Sequence, residues 1–201
     1  MPNTKNLDPA ASVEHAPRAA EKILNVARDL FYRQGIRAIG VDEIVKTAGV
    51  TKPSLYRSFS SKDDLTASYL KQYDREFWER FDEAVAAHPG DPRAQVLAFL
   101  ARVGKRSQKA SYRGCGLTNA AVEYPEHDHP ARIVSEENKR ELRRRLRAMA
   151  KAMGAAEPDM LGDGLLLLLE GAYISAQLFG TGGPARAVAR NAELLIDASL
   201  A

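Results

Sequence analysis

Apolar residues recur every three or four positions along most of this chain, which is the period of an amphipathic helix. Over 18–34, Ile23, Ala27, Leu30 and Phe31 form one stripe, with Arg18, Lys22, Arg28 and Arg33 largely off it. This helix ends at Gly35. A long stripe follows, Leu65, Tyr69, Tyr73, Phe77, Phe81 and Val85, opened by the capping pattern Ser61-Lys-Asp-Asp64 and stopped by His88-Pro-Gly-Asp-Pro92. A helix over 61–87 would be roughly 40 Å long, so it leaves a small N-terminal unit and enters a second one. Beyond Pro92, Val96, Phe99, Leu100 and Val103 mark another helix, Tyr112–Gly116 a break and Leu117–Tyr124 a short helix. Residues 131–153 read as a charged helix whose apolar line is Leu142, Leu146, Met149 and Met153. Residues 158–180 read as a helix apolar nearly all round, and 185–200 as the last. No period-2 alternation and no internal repeat interrupts this series. The predicted fold is all-α with about nine helices: an N-terminal three-helix unit at 17–62 and a larger helical bundle at 63–201. Residues 1–16, aperiodic and rich in Pro, Ala and Asn, are predicted to be a disordered arm.

The densest local signal lies at 41–60. Ile44, Val45 and Ala48 share one face, and Gly49 stands where the chain needs positive φ to leave that helix. Thr51 is placed to cap the next helix, with Pro53 in its first turn, where a missing N–H is harmless. Leu55 and Phe59 face inward. Lys52, Ser54, Tyr56 and Arg57 therefore face outward, which is a side-chain set suited to phosphates and base edges. This is a helix-turn-helix with a second helix shaped to enter DNA.

Charge sharpens the picture. The 201-residue chain carries only +3 overall, but residues 18–62 carry +5 and residues 63–201 carry −1. The basic excess surrounds the helix-turn-helix, as a polyanion partner requires. Cys115 is the sole cysteine, so no internal disulfide can form and a cytoplasmic setting is expected. Its thiol reads as small apolar filler, with a redox or covalent sensor as the alternative. No apolar segment of a secretion signal opens the sequence. The run Leu165–Leu169 is far short of the ~20 residues a membrane span needs, so no membrane partner is expected.

A helix apolar on all faces must be covered on all faces. The segment Leu161–Phe179 is therefore deep in a bundle or covered by a partner chain. With the neighbouring last helix, it suggests a four-helix dimer interface through Leu165, Leu168, Leu169, Ala172, Val188, Ala192 and Leu195.

The motifs Ala27-x-x-Leu-Phe31, Gly35-Ile-Arg-Ala38, Gly40-Val-Asp-Glu-Ile44, Ala48-Gly-Val-Thr-Lys-Pro-Ser-Leu-Tyr56 and Phe59-Ser-Ser-Lys-Asp-Asp-Leu65 together resemble the TetR family of transcriptional repressors. They cover about residues 18–66. Gly114-Cys-Gly-Leu-Thr-Asn-Ala-Ala-Val-Glu-Tyr-Pro125, followed by His129-Pro-Ala-Arg132, is similar to one subgroup of such regulators. The resemblance implies a homodimer on a pseudo-palindromic DNA operator and a small-molecule effector, of unknown identity, that releases the DNA. On that basis Lys52, Ser54 and Arg57 would reach base edges, with Pro53 in the same DNA-facing turn. Thr51, Tyr56 and Lys62 would hold phosphates. Two departures stand out. Ile39 and Gly40 occupy positions where the family often has Thr or Ser, so a phosphate there would rest on the backbone N–H groups beside Gly40. Val45 stands where Ala is usual.

Weaker constellations surround this one. Glu123, His127, Asp128 and His129 are zinc-compatible types, but three are consecutive in a Pro-flanked loop, so a polar turn is the simpler expectation. Lys139, Arg140, Arg143, Arg144, Arg145, Arg147 and Lys151 form a basic run, read as a solvated face, with an anionic ligand or an added DNA contact as alternatives. No nucleophile–base pair, phosphate-cradling glycine loop or paired-carboxylate signature points to catalysis or a cofactor. Expected effector contacts, on inner faces of central helices, are Phe99, Val103, Cys115, Asn119, Tyr173 and Gln177. The rival readings are a helical enzyme or carrier with a vestigial helix-turn-helix, and a DNA-bound architectural factor without an effector.

Overall fold

The computed structural model describes residues 19–200; the expected N-terminal arm lies outside them. Among the described residues there are nine α-helices, one 3-10 turn and no strand. Helices α1 (Ala19–Gln34), α2 (Val41–Ala48) and α3 (Lys52–Ser58) form the helix-turn-helix unit. Its small core joins Ile23, Ala27 and Phe31 of α1 to Ile36, Ile39, Ile44, Val45, Leu55 and Phe59.

Helix α4 (Lys62–Ala86) is 25 residues long, about 37 Å at 1.5 Å per residue. The Ser61 hydroxyl accepts the Asp64 N–H at 3.0 Å. The return arm of this capping box is displaced by one residue: the Asp64 carboxylate accepts from the Ser60 N–H at 2.9 Å and the Ser60 hydroxyl at 3.2 Å. Of the expected stripe, Leu65 to Phe81 are buried, while Ala84 closes the line in place of Val85. The stripe is an aromatic column. Tyr69 and Tyr73 meet edge-on at 6.2 Å, and Phe77 and Phe81 both meet Phe99 edge-on, at 5.8 and 4.9 Å. Offset and edge contacts of this kind add to the burial of the rings.

Helices α5 (Pro92–Arg106), α6 (Gly116–Glu123), α7 (Pro130–Ala152), α8 (Pro158–Phe179) and α9 (Val188–Leu200) complete the bundle, with the 3-10 turn Pro184–Ala187 before α9. α7 and α8 pack most closely. A Cβ on Gly162 would lie 2.7 Å from the Arg147 backbone, so glycine is what lets the two helices approach there.

That approach fixes the rotation of α8 and shows which of the residues expected at a dimer surface their own protomer covers. Leu165, Leu169, Ala172, Val188 and Ala192 are buried within the protomer, and Leu168 and Leu195 are only partly exposed. The uncovered apolar stripe is Met160, Leu167, Ile174 and Leu178, with Leu167 72% and Leu178 70% exposed. A helix apolar on every face gives no sign in sequence of which side its own chain covers.

The basic run on α7 is also resolved. Arg143 and Arg147 both fork onto Asp163 of α8 at 2.6–2.8 Å, and Arg147 reaches Asp159. Arg144 and Arg145 share Glu141, Arg145 also reaches Asp82 of α4, and Arg140 reaches Glu136. This is neither a bare solvated face nor an open anion site, because most of its cations are answered by carboxylates.

These pairs predict an acid-labile bundle. Arg144 and Arg145 hold the Glu141 carboxyl down to about 2, and Arg143 and Arg147 hold Asp163 well below the usual carboxylate range. A carboxylate with a depressed native pKa stabilises the fold above its unfolded value, about 4. That contribution is lost as pH falls through the native value. Exposure keeps each pair weak. The thermal midpoint should therefore fall between about pH 4.5 and 2. An Arg147→Gln variant should melt a few degrees lower at pH 7, and its deficit should narrow below about pH 3. An undiminished deficit at low pH would assign the effect to packing instead.

Candidate nucleic-acid interface and effector cavity

The turn between α2 and α3 is built as its residues dictate. Gly49 adopts φ 64°, ψ 35° and ends α2. Its N–H reaches the Lys46 carbonyl at 3.3 Å, and the Val50 N–H reaches the Val45 carbonyl at 3.0 Å. Thr51 caps α3, its hydroxyl 3.4 Å from the Ser54 N–H, and Leu55 is the buried anchor.

The opposite face carries Thr51, Lys52, Pro53, Tyr56 and Arg57, all exposed, with Ser54 half-buried. In the DNA-free chain these groups satisfy one another. Arg57 Nη2 donates to Ser54 Oγ at 2.8 Å, the Thr51 and Ser54 hydroxyls are 3.1 Å apart, and Lys52 Nζ pairs with Asp42 at 2.7 Å. The Asp42 carboxylate raises the Lys52 pKa, so the cation is fully charged. Gly40 caps α2 without a side-chain bond and is exposed. Lys62 starts α4, half-buried, 6.0 Å from the Phe31 ring centre. Burial lowers its pKa, partly offset by Asp63 and Glu123.

Long-range contacts that sequence reading missed bolt this unit to the bundle. Arg28 of α1 forks onto Glu76 of α4 at 2.6 and 2.8 Å. The Tyr32 hydroxyl donates to the Gly114 carbonyl at 3.1 Å and accepts from the Arg113 N–H at 3.0 Å. The Arg37 N–H donates to Glu123 at 2.8 Å, and its guanidinium lies over the Tyr124 ring.

The suspected metal-type residues go separate ways. Glu123 serves Arg37, and His127 pairs with Glu136 at 2.6 Å. His129 stacks on Tyr124 at 3.9 Å and accepts the Ala131 N–H at Nδ1. That tautomer leaves the Nε2 proton facing Asp63 at 3.6 Å.

The six expected effector contacts do not converge. Phe99, Val103 and Tyr173 line one cavity of about 250 Å³ between α4, α5 and α8. Asn119 and Gln177 line a second, of about 290 Å³, beside α1 and α6, which Tyr173 also borders. Gln177 donates to Asn119 at 3.3 Å and Asn119 to the Arg113 carbonyl at 2.7 Å. Cys115 lines neither. It is buried 3.5 Å from Lys139 Nζ, which pairs with Glu170 at 2.8 Å. Burial alone would lower the Lys139 pKa, but the facing thiol and carboxylate outweigh it and raise it. The first cavity is completed by Tyr73, Phe77, Arg80, Arg106 and Tyr112, with Glu83, Arg102 and Lys105 also in its lining. Both arginines were legible in principle, since Arg80 lies three residues past Phe77 and Arg106 three past Val103 on the same stripes.

A helix-turn-helix presenting hydroxyls and cations, mounted on a helical bundle with internal cavities, defines a DNA-binding transcriptional regulator. The family model for bacterial regulatory proteins of the tetR family matches residues 23–69. The transcriptional regulator AcuR of Cereibacter sphaeroides is 28% identical over 178 residues, which cover 85% of this chain and 79% of AcuR. Among solved structures, SCO4454, a TetR-family regulator from Streptomyces coelicolor, is 28% identical with a TM-score of 0.84, covering 92% of this chain and 97% of that one. A TetR-type regulator from Streptomyces avermitilis, sav143, is 32% identical with a TM-score of 0.79, covering 91% and 98%. This chain belongs to the TetR family of transcriptional regulators. Among the described residues, no helix is long and apolar enough to cross a membrane.

The Tyr32 hydroxyl is the most economical test of the joint between the two units. Tyr32→Phe strands the Arg113 N–H and the Gly114 carbonyl, and should cost about 1–2 kcal/mol. For a chain of this length that is roughly 2–8 °C in thermal midpoint. An unchanged midpoint would show that water replaces the hydroxyl without loss.

Proposed function

We propose that the chain is a dimeric, ligand-responsive repressor, acting in the cytoplasm, that grips a pseudo-palindromic operator through two copies of α3 and lets go when a small molecule enters the bundle. The observation that carries the reading is the outward face of α3. It holds two cations, two hydroxyls and a phenol on a rigid, capped turn, within an N-terminal segment, 18–62, that carries +5. Lys52, Ser54 and Arg57 are assigned to base edges. Thr51, Tyr56, Lys62 and the backbone beside Gly40 are assigned to phosphates, with Pro53 shaping the turn. Binding must exchange Asp42 for a base edge at Lys52 and free Arg57 from Ser54, which favours a correctly placed groove over a loose one.

A second copy is assigned to the uncovered stripe of α8. Met160, Leu167, Gly171, Ile174 and Leu178 repeat at spacings of three, four and seven residues, the seam of a helix pair. A groove of about 490 Å³ between α8, the 3-10 turn and α9 lies beside it. The relatives are transcriptional regulators, which argues against the enzyme reading. The lever is α4, whose first turn carries Lys62 and whose middle lines the effector cavity. Moving it changes the separation of the two α3 helices, which must match about 34–36 Å or a multiple. The effector works only through a difference in affinity between the two shapes.

Two measurements test this. Genomic fragments retained by the purified chain should bind it with a steep salt dependence, and Lys62→Ala should reduce the slope of log K against log salt by about one. A slope unaltered in the variant would remove Lys62 from the phosphate contacts, and no preference for any fragment would remove the operator. Leu167→Asp should dissociate the dimer in light scattering. Two buried leucines lost at roughly 1.5 kcal/mol each raise the dissociation constant about 100-fold. A variant that stays dimeric would move the interface off this stripe.

A further inference from the structure

The cavity between α4, α5 and α8 has two ends of opposite character. Phe77, Phe99, Val103 and Tyr173 give it an apolar wall, and Arg80 and Arg106 stand at its other side. Charge accounting around these arginines is uneven. Arg102 and Glu83, which also line the cavity, answer each other at 2.9 Å, and Lys105 adds a third lining cation without an ion pair among the described residues. Glu76 is held by both prongs of Arg28, so Arg80 is left 3.8 Å from it. Arg106 forms no ion pair among the described residues; its guanidinium lies 5.8 Å from the Tyr112 ring centre. A third cavity, of about 230 Å³, shares Tyr73, Arg80, Arg106 and Tyr112 with the first and is also lined by Asp29 and Glu76. The two arginines therefore stand in a common partition, half-buried, with their charge only partly answered.

We infer that this cavity selects a small carboxylic acid with an aromatic or short aliphatic body. The body lies against Phe77, Phe99, Val103 and Tyr173, and the carboxylate is taken by Arg106 and Arg80. The inference rests on the effector-binding reading above and names the chemical class of its ligand. Guanidinium groups match a carboxylate with paired N–H donors, which a neutral amide or alcohol cannot replace. The volume is just below the ~300–1,000 Å³ of drug-sized sites, so one ring or a short chain is the scale. A single negative charge suits two incompletely neutralised guanidinium groups facing an aromatic wall, with the Glu83 carboxylate already taken by Arg102, whereas a phosphate ester would leave acceptors against the aromatic rings. The carboxylate would also bridge α4, through Arg80, to the last turn of α5, through Arg106, which links the ligand to the helix that starts at Lys62.

Calorimetry on the full chain at pH 7.5 and low salt tests this, with benzoate, phenylacetate and hexanoate as probes against benzamide, benzyl alcohol and hexanol. The acids should bind at one site per chain, about 10–100-fold more tightly than their neutral counterparts, the worth of a charge-assisted hydrogen bond. Arg106→Gln should remove that preference, and Arg106→Lys should restore part of it. Arg93→Gln, at the far end of α5 and paired with Asp197, should retain it. Circular dichroism checks that each variant is folded, and Arg80→Gln serves if the Arg106 variants are not. Equal affinity for acids and neutral compounds, no binding of any acid, or acid binding indifferent to both arginines would overturn the inference. Neutral compounds that release DNA through this cavity would do so while leaving the effector reading intact. Acids that bind as described without releasing DNA would support the ligand class and overturn the effector reading.

Discussion

The fork between Arg28 and Glu76 sets the angle at which the DNA-facing helices meet the bundle. Its two bonds, at 2.6 and 2.8 Å, join the middle of α1 to the middle of α4, and Gln72 steadies the same carboxylate at 3.2 Å. A bidentate pair fixes direction as well as distance. Tyr32, one turn further along α1, repeats the attachment against Arg113 and Gly114. Gly114 is required there twice over: its φ is 72°, and a Cβ would lie 2.8 Å from the Gln177 side chain and 3.0 Å from the Tyr173 carbonyl. The helix-turn-helix thus rides on α4 and the α5–α6 connection as one body, and a shift of either is passed to α3.

This arrangement also explains where the positive field is left. α7 is the most arginine-rich element, yet Asp82, Glu136, Glu141, Asp159 and Asp163 answer its guanidinium groups. Lys139 is turned inward to Glu170 and Cys115. On α3 itself, Lys52 is paired with Asp42. Neutralisation within α7 lowers its share of the protein's positive field, so the +5 of residues 18–62 counts for more than the net charge of +3 suggests.

The elements legible in the sequence are those whose signals lie within a few residues of one another. Gly49, Thr51, Ser61 and the Leu55–Phe59 pair each declare a turn, cap or buried face locally, and each stands where the periodicity placed it. What was not legible depends on partners far along the chain. Nothing near Glu123 signals that it accepts from Arg37, 86 residues earlier, and nothing near Arg143 signals Asp163. The rotation of α8 was hidden for another reason. Its sequence is apolar on every side, so the buried set Leu165, Leu169 and Ala172 and the exposed set Leu167, Ile174 and Leu178 differ only by phase. That phase is set by the contact at Gly162, which no local pattern encodes. Cavity lining was hidden similarly: Cys115 and Phe99 both lie on inner faces, but Phe99 borders the cavity between α4, α5 and α8 and Cys115 does not.

Magnitudes decide whether such a joint can be switched. Allosteric couplings are typically about 1–3 kcal/mol, and hydrogen bonds to a charged group contribute about 1.5–3 kcal/mol. One or two new bonds at Arg80 and Arg106 therefore fall in the range needed to bias α4 between two positions. The core beneath offers little intermediate freedom. Tyr69, Tyr73, Phe77 and Phe81 interlock with Phe31, Tyr32 and Phe99, and a close-packed interior of this kind moves between discrete packings rather than deforming smoothly. In the proposed mechanism, a small ligand wedged against Phe77 and Phe99 would act on the part of α4 least able to absorb it locally. The displacement would then appear at the helix start, where Lys62 and the capped turn of Ser61 meet the helix-turn-helix unit.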